Sequence, residues 1–140
     1  MIQGGDFTNQ DGTGGHAGAF YGYCNGQLSE DSTCSGAGNS AWTVPDEADN
    51  GRVHDACTIS MAKTSAPHTG GSQFFLIPED SAPDWLDGVH TVFGSITDGC
   101  EHVTSISDVA TGEGDVPVQA VTLVSATFVG SEVTPWYQFW

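Results

Sequence analysis

Apolar residues along this chain fall into short runs bounded by Gly, Ser, Asn and Asp, and long stretches of helical period are absent. Such runs predict strands at 1–3, 57–62, 73–77, 91–96 and 118–129. In the last, Val121, Leu123 and Ser125 share one side while Val124, Ala126 and Phe128 share the other. Two fairly apolar faces suit a strand that closes a small barrel. Phe74 and Phe93 read as ordinary core. One short helix is expected over 100–107, where Val103 and Ile106 recur three apart on one face. Between 14 and 50 the composition shifts to Gly, Ser, Asn and acids, which predicts a long excursion with little regular structure. The organisation that follows is a mainly β domain over 1–129 with an aromatic tail at 130–140, expected to cover an apolar patch.

A chain of 140 residues with 38% apolar content supports one core and one domain. Charge changes the picture more. There are 18 acids against Arg52 and Lys63 alone, a formal net charge of −16. A polyanionic nucleic acid or an anionic membrane would repel that surface. No run of 18 apolar residues is present, so no membrane span is expected, and the charge favours a monomer. The acids also repel one another, and salt at about 1 M, where the screening length is roughly 3 Å, removes most of that penalty. A salt-adapted, halophilic origin is the expectation.

The cysteines Cys24, Cys34, Cys57 and Cys100 allow three full pairings, or four reduced thiols. Cys24 and Cys34 bracket a polar, Gly-rich loop, and a bridge there could contribute up to about 3 kcal/mol. That bridge would favour a secreted protein over a cytoplasmic one. Zinc is not expected, because neither C-x₂₋₄-C nor H-x₃₋₅-H occurs.

Several motifs fail on context. Gly12, Gly14 and Ala17 match G-x-G-x-x-A without a following amphipathic helix, and Asp46 to Gly51 lacks the ligands of a calcium loop. Ser72 stands outside a nucleophile elbow. What remains is MIQGGDF from Met1, SMAKTS from Ser60, GSQFFL from Gly71 and WLDGVHTVFG from Trp85. Together they carry apolar residues, two amides and one imidazole. That set suits a reaction needing no nucleophile, metal or cofactor: rotation of an X-Pro amide, whose barrier of about 18–20 kcal/mol comes from C–N resonance. An apolar pocket and a few fixed donors could weaken that resonance.

In order and near-matching spacing these blocks resemble the cyclophilin family of peptidyl-prolyl cis-trans isomerases, over residues 1 to about 128. The resemblance implies an antiparallel β-barrel with one or two short helices and an isomerase that assists protein folding. It implies Gln3, Phe75 and His90 as catalytic residues, with Met1, Phe75 and Leu86 forming the proline cup and Gln3 and Gln73 holding the substrate backbone. Ala62 and Lys63 match the edge beside the substrate, and Trp85 matches a tryptophan that contacts cyclic peptide inhibitors. The partners implied are proline-containing polypeptides, with no cofactor. The family's N-terminal strands and its catalytic arginine have no counterpart before Met1, so the chain is expected to be an N-terminally incomplete member. The alternative is a non-catalytic module that binds proline-containing peptides.

Raising KCl from about 0.1 to 1 M, which contracts the screening length from about 10 to 3 Å, should raise the thermal unfolding midpoint by several degrees. A midpoint that stays level or falls in calorimetry would contradict the salt adaptation.

Overall fold

The computed structural model describes residues 1–129. In chain order its strands are β1 (Ile2–Gly4), β2 (Tyr23–Cys24), β3 (Gln27–Leu28), β4 (Thr58–Met61), β5 (Phe74–Leu76) and β6 (Val92–Ser95), followed by one helix, α1 (Cys100–Ser107). The four longer strands form an antiparallel sheet in the order β1-β5-β4-β6, and β2 pairs with β3 alone. Among the described residues the protein is therefore mainly β with one α-helix, as the run lengths predict.

Register decides what the sheet buries. Phe75 sits opposite Gln3 on one side and opposite Ser60 on the other. Side chains alternate along a strand, so burying Phe75 (2% exposed) leaves Phe74 and Leu76 on the other face, each half-buried. Ile77, Val92 and Val103 join Phe75 in the core. The register between β4 and β6 shifts between Ile59 and Ser60, a bulge that bends the sheet locally.

One glycine is required by close approach: Gly5 has φ of 91°, and a Cβ there would collide with the Ser72 carbonyl. Across the same contact the Ser72 hydroxyl donates to the Gly5 carbonyl at 2.6 Å. This joins the end of β1 to the approach to β5.

The helix occupies the predicted residues, with Cys100 and Val103 buried and Ile106 half-buried. All four cysteines are bridged, Cys24 to Cys34 and Cys57 to Cys100. The second bridge ties the first turn of α1 to the residue preceding β4. No helix among the described residues is long and apolar enough to cross a membrane.

Three expectations need correction. Residues 118–129 form no strand and are almost wholly exposed, with Leu123 at 67% and Val124 at 91%. Their β propensity is real, but a strand also needs a partner edge, and neither β1 nor β6 pairs with them. For that reason the sheet does not close into a barrel among the described residues. Phe93 is not core but 51% exposed, because the pleat that buries Val92 turns it outward. The excursion over 14–50 is more ordered than its composition suggests, carrying β2, β3 and 3₁₀ turns at Cys34–Gly36 and Gly38–Ala41. The tail at 130–140 lies outside the described residues.

Replacing Cys57 and Cys100 together by Ser should lower unfolding stability by up to about 4 kcal/mol, the loop-closure value for this spacing, because the bridge closes a sequence separation of 43. Denaturant unfolding measures it, and a loss below about 1 kcal/mol would remove the bridge from any role in holding α1.

Candidate active site

Two imidazoles hold the Phe75 ring. His54 lies parallel to it with centroids 5.8 Å apart, and His90 meets it edge-on at 5.5 Å. His54 is 2% exposed and fully engaged. Its backbone N–H donates to Asp87 Oδ1 at 2.8 Å, its Nδ1 lies 2.7 Å from the same oxygen, and its Nε2 lies 2.9 Å from Ser60 Oγ. The buried Ser60 hydroxyl also lies 3.0 Å from the Thr91 carbonyl. No buried side-chain N or O among the described residues lacks a partner. The His54 bond holds the Asp87 carboxyl below its usual range, since hydrogen bonds to the charged form favour it.

Above Phe75 opens a cleft of about 770 Å³. Met1, Leu86 and His90 surround the phenylalanine, and Gln3, Gln73, Ala62 and Lys63 line the same cleft. The 3₁₀ turn Asp84–Leu86 sets two of these positions. Its Leu86 carbonyl accepts from the His90 N–H at 3.1 Å, and His90 Nδ1 in turn donates to the Met61 carbonyl at 3.0 Å. That bond fixes the ring, and Nε2 has no partner among the described residues.

The two glutamines differ in availability. Gln73 Nε2 donates to the carbonyls of Gly12 at 2.9 Å and Gly14 at 2.7 Å, while its Oε1 accepts from Gln3 Nε2 at 2.7 Å. Gln73 is thereby spent on structure. Gln3, which is exposed, keeps Oε1 and one N–H without partners among the described residues.

The loop that Gln73 grips is organised by a carboxylate. Asp6 Oδ1 accepts from the N–H groups of Thr8 and Asn9 at 3.1 and 2.9 Å, and Oδ2 from Gly12 and Gly14 at 3.0 Å each. These bonds, the one from Asn9 foremost, push the Asp6 pKa far down. The loop thus delivers Gly12, Thr13, Gly14 and Gly15 to the cleft wall.

Trp85 is the exception among the residues singled out from sequence. It lies outside the cleft and is 75% exposed. Successive side chains of a 3₁₀ turn diverge by about 120°, so turning Leu86 into the cleft points Trp85 to solvent. Sequence reasoning also missed His54, which stands alone in a polar stretch, and Asn25, Ser40, Trp42 and Thr43, which reach the cleft from the 14–50 segment. Cys24 and Cys34, within that segment, were its one visible signal.

Residues 1–128 match the family described as cyclophilin type peptidyl-prolyl cis-trans isomerase/CLD. The chain belongs to this cyclophilin family. Among its relatives, a peptidyl-prolyl cis-trans isomerase of Streptomyces antibioticus is 37% identical over 62% of this chain and 58% of its own. Peptidyl-prolyl cis-trans isomerase-like 1 of Gibberella zeae is 38% identical over 62% of this chain and 52% of its own. Peptidyl-prolyl cis-trans isomerase B of Saccharomyces cerevisiae is 36% identical over 88% of this chain and 49% of its own. The chain spans about half the length of these relatives.

Acid should unfold this cyclophilin in a definite window. Asp6, Asp31 and Asp87 all have pKa values lowered from 3.8 by hydrogen bonds to the charged form: Asp6 foremost from the Asn9 N–H, Asp31 from the Thr33 hydroxyl, Asp87 from His54. Their contribution is present above the unfolded value and lost as pH falls below it through the folded one. Circular dichroism should show a stable midpoint down to about pH 5 and a steep decline below 3.8, with Asp6→Asn flattening the decline. An Asp6→Asn profile parallel to wild type would contradict the carboxylate's role.

Proposed function

We propose that the cleft over Phe75 is a peptidyl-prolyl cis-trans isomerase site acting on X-Pro bonds of unfolded or flexible polypeptides. The observation that carries this is the convergence of Phe75, Leu86, Met1 and His90 around one hollow, with the Gln3 amide on its rim. The roles of these residues, and of Ala62, Lys63 and Gln73 beside them, are part of the proposal.

The chemistry needs neither bond making nor bond breaking in the covalent frame. Planar prolyl amide is charge-separated, with partial negative charge on oxygen; the twisted state is less so and carries a more basic nitrogen. An apolar cup of Phe75, Leu86 and Met1 takes the pyrrolidine ring out of water and so disfavours the planar form. Gln3 offers a free amide to the adjoining backbone, and Gln73 fixes the orientation of Gln3 without touching substrate. His90, locked by the Met61 carbonyl, presents Nε2 at the rim. Fixed donors of this kind stabilise the twisted state without reorganising. Among the described residues the cleft carries no guanidinium: Arg52 is exposed and does not line it.

The paired disulfides fit an oxidising compartment, and we assign the protein there. Proline-containing polypeptides are the partners; a cyclic peptide inhibitor would enter the same hollow and meet Trp85 only at its outer lip.

A protease-coupled assay on a short X-Pro peptide tests the activity. Wild type should exceed the uncatalysed rate, and Phe75→Leu and Phe75→Ala should lose about 10- to 100-fold in kcat/KM, equivalent to the ~1.5–3 kcal/mol of one buried aromatic contact. A wild-type rate equal to that of buffer alone would overturn the proposal.

A further inference from the structure

The cleft extends beyond the proline cup, where it is lined from the segment 24–43, whose first part the Cys24–Cys34 bridge closes into a loop. Asn25, Ser40, Trp42 and Thr43 line it, as do Thr64 and Thr69. The staple is not a loose tether. Cys24 forms a β-bridge with Trp42, the Asn25 N–H donates to the Ala41 carbonyl at 2.8 Å, and the Trp42 indole N–H donates to the Ser32 carbonyl at 2.8 Å, two residues before Cys34. Phe20 packs against the indole with centroids 6.0 Å apart. On the other side Gly26, with φ of 80°, lies against Thr69 and the Pro67 carbonyl, and the Tyr23 ring meets His68 at 4.7 Å. The stapled segment and the 64–69 turn are thus docked on each other as one wall.

Its chemistry is distinctive for this molecule. The chain has 18 acids, yet no Asp or Glu lines the cleft. Lys63, a base in the cleft, is held by Asp46 at 3.5 Å and points no free charge at the wall. What the wall offers is an indole with hydroxyls and one amide around it. Such a surface suits a flat, uncharged ring. Phe75 and Gly71 both line the cleft four positions apart, at most about 14 Å of chain, a distance an extended peptide covers in up to about four residues.

We propose that the segment 24–43, tied together by the Cys24–Cys34 bridge, is a specificity wall, and that Trp42 selects an aromatic side chain two to four residues from the substrate proline. This rests on the proposal that the cleft binds proline peptides. Trp42 is here a substrate-contacting residue, and the bridge positions it.

Isothermal titration calorimetry with capped Ala-rich peptides holding one central proline tests it, with Phe placed in turn at each position two to four residues to either side. Wild type should prefer Phe to Ala at one of these positions by roughly 3- to 10-fold, the range expected for an aromatic pair. The ratio should fall toward one in Trp42→Ala and in the Cys24→Ser/Cys34→Ser double variant, and return in Trp42→Phe. Ser40→Trp, a change at an exposed position, should abolish it by filling the wall, which keeps the test decisive should Trp42→Ala fail to fold. A ratio near one in wild type, or one that survives Ser40→Trp and loss of the bridge, overturns the wall alone. Failure of wild type to bind any of the peptides overturns the cleft proposal, and the wall with it.

Discussion

The site depends on one buried side chain, His54. It touches β4 through Ser60, the turn after Leu86 through Asp87, and β5 through the face of Phe75. Three separately coded segments are thereby brought to fixed positions, and the ring beneath the cup cannot tilt without breaking contacts to all of them. The polar partners matter as much as the stacking, since a buried ring nitrogen left without one would cost about 1–3 kcal/mol. An aliphatic residue in its place could fill the space but could not set the angle at which the floor lies.

The layers outside that ring follow the same logic. Gln73 spends its amide on two glycine carbonyls and on Gln3, so one residue orients another that remains free to meet a ligand. Asp6 does for the 6–15 loop what a metal ion does elsewhere, gathering several N–H groups on one charge. Both arrangements lie at the edge of the cleft, and neither puts a carboxylate into its lining.

Much of this was legible in the sequence. The runs around Phe75 and Val92 and the spacing in α1 gave the elements, because period and side-chain size act within a few residues. The blocks around Gln3, Phe75 and His90 gave the composition of the cleft. His54 was not legible, because its importance lies in three contacts distant along the chain, each with an unremarkable partner. Trp42 was hidden in the same way, inside a segment whose composition signals turns. Residues 118–129 misled for the opposite reason: their alternation describes what a strand would bury, and says nothing about whether an edge is present to receive it. Trp85 misled because a motif fixes order along the chain, whereas the turn geometry at Leu86 fixes direction.

The Cys57–Cys100 bond has a topological result that extends beyond holding a helix. The stretch it encloses contains Ala62, Lys63, Gln73, Phe75, Leu86 and His90, so the floor of the hollow and part of its wall lie within a covalent macrocycle. A protease that nicks the exposed stretch around Asp80 or Trp85 once would open that ring into a linear branch and release no fragment. The nicked molecule gains only the water of hydrolysis and keeps every lining residue on one connected framework, and re-forming the hollow stays an intramolecular event.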